Sequence, residues 1–234
     1  SFAGIGIATA TGSHLLPRIG FGWVPEAWGP TMDRLADLME ENRGTLMALA
    51  VQEAKKTIPD ALSEVREAID FCRYYAARSR TDLLPVELPG PTGERNLYQV
   101  QARGRVLCLT GAHEQAETDH LCQLAAVLAV GGHAVWLLQH EALHARLPAV
   151  VQHQISLHAS TATGPVDAAL LHADAGSTLR CQALLAQRPG PIVTLSAMRP
   201  SDLAVPLARL VSERSISTNT AAAGGNASLM TLSD

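Results

Sequence analysis

Hydrophobic and polar positions along this chain fall into three regimes. From Thr31 to Arg80 the apolar residues recur at helical spacing. Met32, Leu35, Ala36, Leu38 and Met39 form one stripe, with Thr31 as its expected N-cap. Glu40, Glu41, Asn42 and Gly44 break that stripe, and a second helix is expected through Leu46, Leu49, Ala50 and Ala54. Lys55 and Lys56 follow, where cations favour the carbonyl end of a helix. Pro59 suits the first turn of a third helix, whose face is Leu62, Val65, Ala68, Ile69, Cys72, Tyr75 and Ala76. From Thr92 to Arg103 the period changes to two, predicting a half-buried antiparallel strand. From Arg105 to Ser196 short apolar runs alternate with helical stretches. The expected strands are Val106–Leu109, Ala134–Leu138, Ile155–Leu157, Ala168–Leu171 and Ile192–Leu195. The expected helices are Thr118–Val130, stopped by Gly131 and Gly132, then Glu141–Val151, interrupted by Pro148, and Ser177–Gln187. Such alternation implies a parallel sheet covered on both faces. A last helix is expected over Asp202–Val211, limited by Pro206.

The end of the chain is different. Ser215, Ser217, Asn219 and Thr220 alternate with Ile216 and Thr218, the mark of an exposed or half-exposed strand. Ala221 to Gly225 carries almost no side chain, and Asn226 and Ser228 add small polar groups. A backbone so lightly dressed can lie close against another surface. The Ile216 strand is the natural partner of the Thr92–Arg103 strand, and the two make a flap. Pro85, Pro89 and Pro91 mark residues 81–92 as a linker. The chain therefore divides into an irregular segment plus helical unit (1–80), the linker, and an α/β domain (93–234) ending in a strap over 213–234. The fold class is α/β: a Rossmann-like parallel sheet with helices on both faces, a two-stranded β-flap and a small N-terminal helical unit.

With 234 residues, 47% of them hydrophobic, the chain can build a real core, and an aromatic content of only 4% makes that core chiefly Ala, Leu and Val. A net charge of −4 and a pI near 6.1 point away from nucleic acid. No apolar run reaches the length of a transmembrane helix, and no signal peptide is expected. Cys72, Cys108, Cys122 and Cys181 lack metal or disulfide spacing and read as reduced thiols of a cytoplasmic protein.

Three candidate chemistries compete with plainer readings. His140-Glu141-Ala142-Leu143-His144 fits the HExxH zinc-hydrolase pattern, in which two imidazoles one turn apart hold the metal and the glutamate activates water. Glu141 and Glu213 have no glutamate between them to act as third ligand, and His153 or His158 stands at no recognised spacing. A solvated helix start is the plainer expectation. Cys122 and Cys181 fall among leucines inside helices, an environment for small hydrophobes rather than thiolates. Gly4, Gly6 and Gly12 suggest a nucleotide loop only superficially, and Ser1–Pro30 reads as a wrapping segment. The turn Thr110-Gly111-Ala112-His113-Glu114 lies where a dinucleotide fold would cradle a pyrophosphate, but it has one glycine, and Glu114 and Glu117 would repel the ligand.

Glu213–Met230, ERSISTNTAAAGGNASLM, closely resembles the C-terminal motif of the proline utilization A family within the aldehyde dehydrogenase superfamily. The likeness continues at LPGPTGER (Leu88–Arg95), RVLCL (Arg105–Leu109) and LCQLAAVLAV (Leu121–Val130), which resemble that family's non-catalytic C-terminal domain. Asp33–Ala77 resembles the start of its dehydrogenase domain. The family's bifunctional enzymes join an FAD-dependent proline dehydrogenase to an NAD-dependent dehydrogenase that oxidises glutamate semialdehyde to glutamate by substrate channeling. The family's NAD motifs, catalytic cysteine and glutamate base are missing between Arg80 and Leu88, so the chain reads as two separated parts joined near Arg80 and Thr81. The resemblance implies a chain that binds neither NAD nor FAD itself, has no catalytic or metal residues, and caps the dehydrogenase end of a tunnel. Its contact residues would be Ser215, Ser217, Asn219, Thr220, Gly224, Gly225, Asn226 and Ser228. Its partner would be the remaining domains of such an enzyme or a second copy in a homo-oligomer.

Overall fold

The computed structural model describes residues 28–113, 116–147, 149–162 and 164–220. The expectations for residues 1–27 and for Gly224, Gly225, Asn226 and Ser228 lie outside them.

Three helices open the described chain: α1 (Trp28–Glu41), α2 (Arg43–Ala54) and α3 (Ile58–Asp82). Thr31 is inside α1 rather than capping it. The helix begins three residues earlier because Pro30 falls in its first turn, where a missing N–H costs nothing. Thr57 caps α3, its side chain accepting from the Asp60 N–H at 3.3 Å. The helix then buries Ala61, Val65, Ile69, Cys72, Tyr75, Ala76 and Ser79 along one face. Ala36 and Leu46 pack on Val65, Ile69 and Cys72. Gly29 lets α1 cross α3 closely, since a Cβ there would stand 2.9 Å from Ser79 Oγ.

The parallel sheet holds β3 (Arg105–Thr110), β4 (His133–Leu137), β5 (Ile155–His158), β6 (Ala168–His172) and β7 (Thr194–Met198) in the order β5-β4-β3-β6-β7. Its three central strands, β4, β3 and β6, are short, apolar and largely buried, as a sheet covered on both sides requires, while the edge strands β5 and β7 are partly exposed. Val106, Cys108, Ala134, Trp136, Ala168 and Leu170 face α3 and α4 (Ala116–Ala129). Leu107, Leu109, Val135, Ala169 and Leu171 face α7 (Ala175–Ala186). The period-two alternation thus feeds two cores from one sheet. Helix α4 ends as expected: Gly131 takes a left-handed φ of 73°, its N–H bonding Leu128 O at 2.9 Å, while Gly132 N–H bonds Val127 O at 2.9 Å.

The stretch after His140 is interrupted as expected, forming two short helices, α5 (Glu141–Arg146) and α6 (Ala149–Gln152). Two other elements depart from the sequence reading. The fifth parallel strand starts at Thr194, leaving Ile192 92% exposed. The expected helix over Asp202–Val211 is an irregular segment closed by a single 3-10 turn at Leu207–Arg209. Pro206 removes one helical donor, and tertiary bonds claim the backbone before it. Tyr75 OH donates to Leu203 O at 3.0 Å and accepts from Val205 N–H at 3.3 Å. The leucines the sequence placed on a helix, Leu207 and Leu210, are still fully buried.

The flap is a separate antiparallel sheet in the order β1-β2-β8, made of β1 (Val86–Leu88), β2 (Glu94–Ala102) and β8 (Val211–Asn219). The pairing of β2 with β8 is the one the alternation predicted, with Leu97 opposite Ile216. β1 adds a third strand within the proline-rich stretch. Val100 and Val211 root the flap in the main core.

Candidate functional site

Two places hold the residues that bear on function: the outer edge of the flap, and the crevice at the carboxyl end of the parallel strands.

Among the described residues β8 is the outermost strand of the flap, and its register against β2 runs without a bulge from Glu94 opposite Asn219 to Ala102 opposite Val211. Residues directly opposite share a face. Ser215, Ser217 and Asn219 therefore lie on one face together with Asn96 and Tyr98. Ser217 Oγ donates to Asn96 Oδ1 at 2.5 Å, and Tyr98 OH donates to Glu213 Oε1 at 3.0 Å. The bond to Glu213 pushes the Tyr98 phenol above its ordinary pKa, so it stays a donor. Thr220 is fastened just past the strand, its N–H donating to Gly93 O at 2.8 Å. Ser215, Ser217, Asn219 and Thr220 are all exposed. The sequence singled these four out; it gave no hint of Asn96 and Tyr98, whose bracing role only the register reveals. An exposed, unbulged edge strand with small side chains presents a ladder of backbone groups to any strand that can pair with it.

The crevice lies outside β3 and β6, where the strand order reverses and doubly wound folds bind nucleotides. Here the chain's own groups fill it. Gly111 N–H donates to His172 O at 2.7 Å. Gln123 on α4 places Nε2 2.8 Å from Leu109 O and 2.7 Å from His172 Nδ1. His172 Nε2 lies 2.7 Å from Asp202 O. A carbonyl only accepts, so Nε2 carries the proton and Nδ1 accepts from Gln123, which fixes the tautomer. Asp119 Oδ2 accepts from Ser201 N–H at 2.9 Å and faces His113 Nε2 at 3.4 Å. That bond steadies Ser201 in a left-handed φ of 64°, a conformation unusual for a residue with a Cβ. Asp119, His120, Gln123 and His172 are all fully buried. The segment 199–205 is thereby tied down across the strand ends.

His120 sits between two rings. Trp136 meets it edge-on at 4.5 Å, and His140 stacks on it at 4.2 Å. Burial, followed by the neighbouring His140 and His172, drives the His120 pKa down to about 3, so the imidazole is neutral. This stack absorbs the first histidine of the HExxH pattern. The second, His144, has Nε2 3.3 Å from Gln152 O. Burial lowers the His140 pKa, with Glu117 acting in the opposite direction. Among the described residues, no three His, Cys, Asp or Glu side chains come together in a group that could hold a metal ion. The four cysteines are free and buried. Burial raises the Cys72 thiol to about 11 and those of Cys108 and Cys122 to about 12, and raises Cys181 as well. Each is a protonated, poorly nucleophilic thiol at neutral pH.

A five-stranded parallel sheet in this order, sandwiched between helices, defines a Rossmann-like α/β protein. The chain belongs to the aldehyde dehydrogenase family, whose sequence model matches residues 24–141. It is similar to the bifunctional protein PutA of Salmonella typhimurium, with 44% identity over 168 residues, 69% of this chain and 12% of that protein. The chain thus spans about an eighth of the length of the curated relatives it matches. A solved structure of proline utilization A (PutA) with proline bound in remote sites superimposes with a TM-score of 0.62 at 27% identity, covering 76% of this chain and 20% of that one. An NAD-dependent benzaldehyde dehydrogenase from Corynebacterium glutamicum shares the fold, with a TM-score of 0.54 at 18% identity over 75% of this chain and 41% of that one. Among the described residues no helix is long and apolar enough to cross a membrane.

Proposed function

We propose that this PutA-like chain is a closure and assembly module of a proline-catabolic enzyme, and that it catalyses nothing itself. The enzyme it serves would oxidise glutamate semialdehyde to glutamate with NAD, beside an FAD-dependent proline dehydrogenase. In this reading β8 and the strap that continues from it lie across the dehydrogenase end of the internal tunnel and hold the catalytic body in place. Ser215, Ser217, Asn219 and Thr220 make the first contacts, through backbone and small polar groups, as in β-strand addition. Gly224, Gly225, Asn226 and Ser228 extend them.

The observation that carries this reading is the contrast between the two places. Among the described residues the flap edge is unbulged against β2 and exposed at residues 213–215 and 217–219. The crevice where a family member would cradle NAD is filled by the Gln123–His172–Asp202 chain and by Asp119 on Ser201. Gly111 N–H, a candidate phosphate donor, is bonded to His172 O instead. The buried, protonated cysteines offer no nucleophile.

The test is reconstitution. The dehydrogenase body of a PutA enzyme, stripped of its own C-terminal domain, is mixed with this chain, and NADH formation from the semialdehyde is followed. The chain alone should give none. Added in trans, it should raise turnover by about tenfold or more, the scale expected when closing a site orients its groups. A chain cut after Val211 should give no such gain. NADH production by the isolated chain, or an equal gain from the truncated one, overturns the reading.

A further inference from the structure

We infer that the groove between α3 and Leu203–Ala204 is a binding site for a free α-amino acid with an apolar side chain. The site shares no residue with β8 and is independent of the closure role.

Pro59, Leu62, Arg66, Asp70 and Tyr74 follow one another at helical spacing along one wall of the groove, and Leu203 and Ala204 make the other. The cavity between them measures about 760 Å³, within the range of small-molecule sites. Its two walls are fastened to each other. Tyr75 OH donates to Leu203 O at 3.0 Å and accepts from Val205 N–H at 3.3 Å, and Cys122 Sγ donates to Leu203 O at 3.5 Å. The groove is therefore preformed, and a ligand has little ordering to impose on it. Leu62, Phe71 and Leu203 give it an apolar surface, against which a small aliphatic side chain is favourably removed from water.

Charge selects the ligand. Of the arginines on α3, Arg73 lies 3.6 Å from Asp37, Arg78 pairs with Asp82, and Arg80 pairs with Asp33. Arg66 is the exception, although Asp70 stands one turn further on, where such pairs commonly close. Among the described residues, the side chains of Arg66, Glu67 and Asp70 have no hydrogen-bond or ion-pair partner. All three line the groove. Glu67 is half-buried, and burial, then Glu64, then Asp119 raise its carboxyl above the ordinary range. Negative potential is in surplus there, and an ammonium beside Glu67 would relieve it. The groove thus presents one free guanidinium, two free carboxylates and an apolar wall. A ligand carboxylate on Arg66 and a ligand ammonium on Glu67 and Asp70 meet all three with charge-assisted hydrogen bonds. A singly charged ligand meets only one sign. The interior of a peptide has lost both charges to its amide bonds. A free amino acid carries both on one carbon, and its side chain falls to Phe71 and Leu203.

The test is a ligand-observed NMR titration of the whole chain. L-Leucine should saturate one site with a Kd on the order of 1 mM. 4-Methylpentanoate, which lacks the ammonium, and 3-methylbutylamine, which lacks the carboxylate, should each bind about tenfold more weakly, the loss of one charged contact. Arg66→Gln should weaken leucine by a similar factor and leave 3-methylbutylamine unaffected. Glu67→Gln should weaken leucine and leave 4-methylpentanoate unaffected. Neither side chain has a partner to lose, so both variants should keep the wild-type circular dichroism and melting temperature. Arg73→Gln removes a paired guanidinium from the same helix and should bind leucine as wild type does. Absence of saturable leucine binding, equal affinities for leucine and its two singly charged analogues, or leucine binding indifferent to Arg66→Gln overturns the inference. None of these results alters the outcome of the reconstitution with the dehydrogenase body, so the two readings fail separately.

Discussion

Acidifying the folded protein from about pH 7 to about pH 5 is expected to remove on the order of 2 kcal/mol of stability through His120 alone. Its pKa in the folded state is driven down to about 3, chiefly by burial. In the unfolded chain it returns to an ordinary value near 6.5. Above that value both states are neutral and the term is silent. Below it the unfolded chain takes up a proton that the folded chain refuses, so acid favours unfolding. The full contribution is on the order of 4–5 kcal/mol and is exhausted near pH 3. His140 and His133 are shifted downward too, each first by burial, and act in the same direction. Urea midpoints at the two pH values should show a clear drop for wild type and a much smaller one for His120→Phe, whose ring can occupy the same place between Trp136 and His140. Equal drops would mean that His120 is not the buried neutral group described above.

The second large effect is expected at Trp136, the largest fully buried side chain among the described residues. It lies in the middle of β4 and closes the ring stack over α4. Trp136→Ala should cost about 3–5 kcal/mol, because transfer energy is lost and a cavity remains. A domain of ordinary stability has only about 5–15 kcal/mol in hand. Trp136→Phe should cost far less. It keeps most of the aromatic contact and leaves a far smaller cavity. Urea unfolding with unchanged m-values separates the two outcomes; similar losses for both variants would show that the indole is not packed as described.

The α/β layers were legible because their cause is local. Alternating apolar runs and amphipathic stretches are what a doubly covered sheet needs, and β3, β4 and β6 sit where those runs are. The flap pairing was legible for the same reason, since period-two alternation in β2 and β8 allows few registers. The crevice was not. Asp119, His120 and Gln123 lie in the first half of α4, where polar residues usually read as a solvated helix start. Only the tertiary fold turns them inward onto His172 and Ser201. A signal did exist: His172 ends the otherwise apolar strand AALLH, and a histidine there must find a buried partner. The helix expected over Asp202–Val211 failed because backbone groups of Asp202, Leu203 and Val205 bond to His172 and Tyr75, partners distant in sequence, while Asp119 holds Ser201 just before them. β1 is too short, and lies in too proline-rich a stretch, to carry a pattern of its own.

Amide hydrogen exchange along β8, free and in complex with the dehydrogenase body, reaches the docking claim most directly. In the presence of the body, Glu213, Ser215 and Ser217 should pass from fast to slow exchange, while Arg214, Ile216 and Thr218, already bonded to β2, stay slow throughout. Should Ser215 and Ser217 exchange as freely in a productive complex as they do in the free chain, the flap edge is not the surface this chain offers.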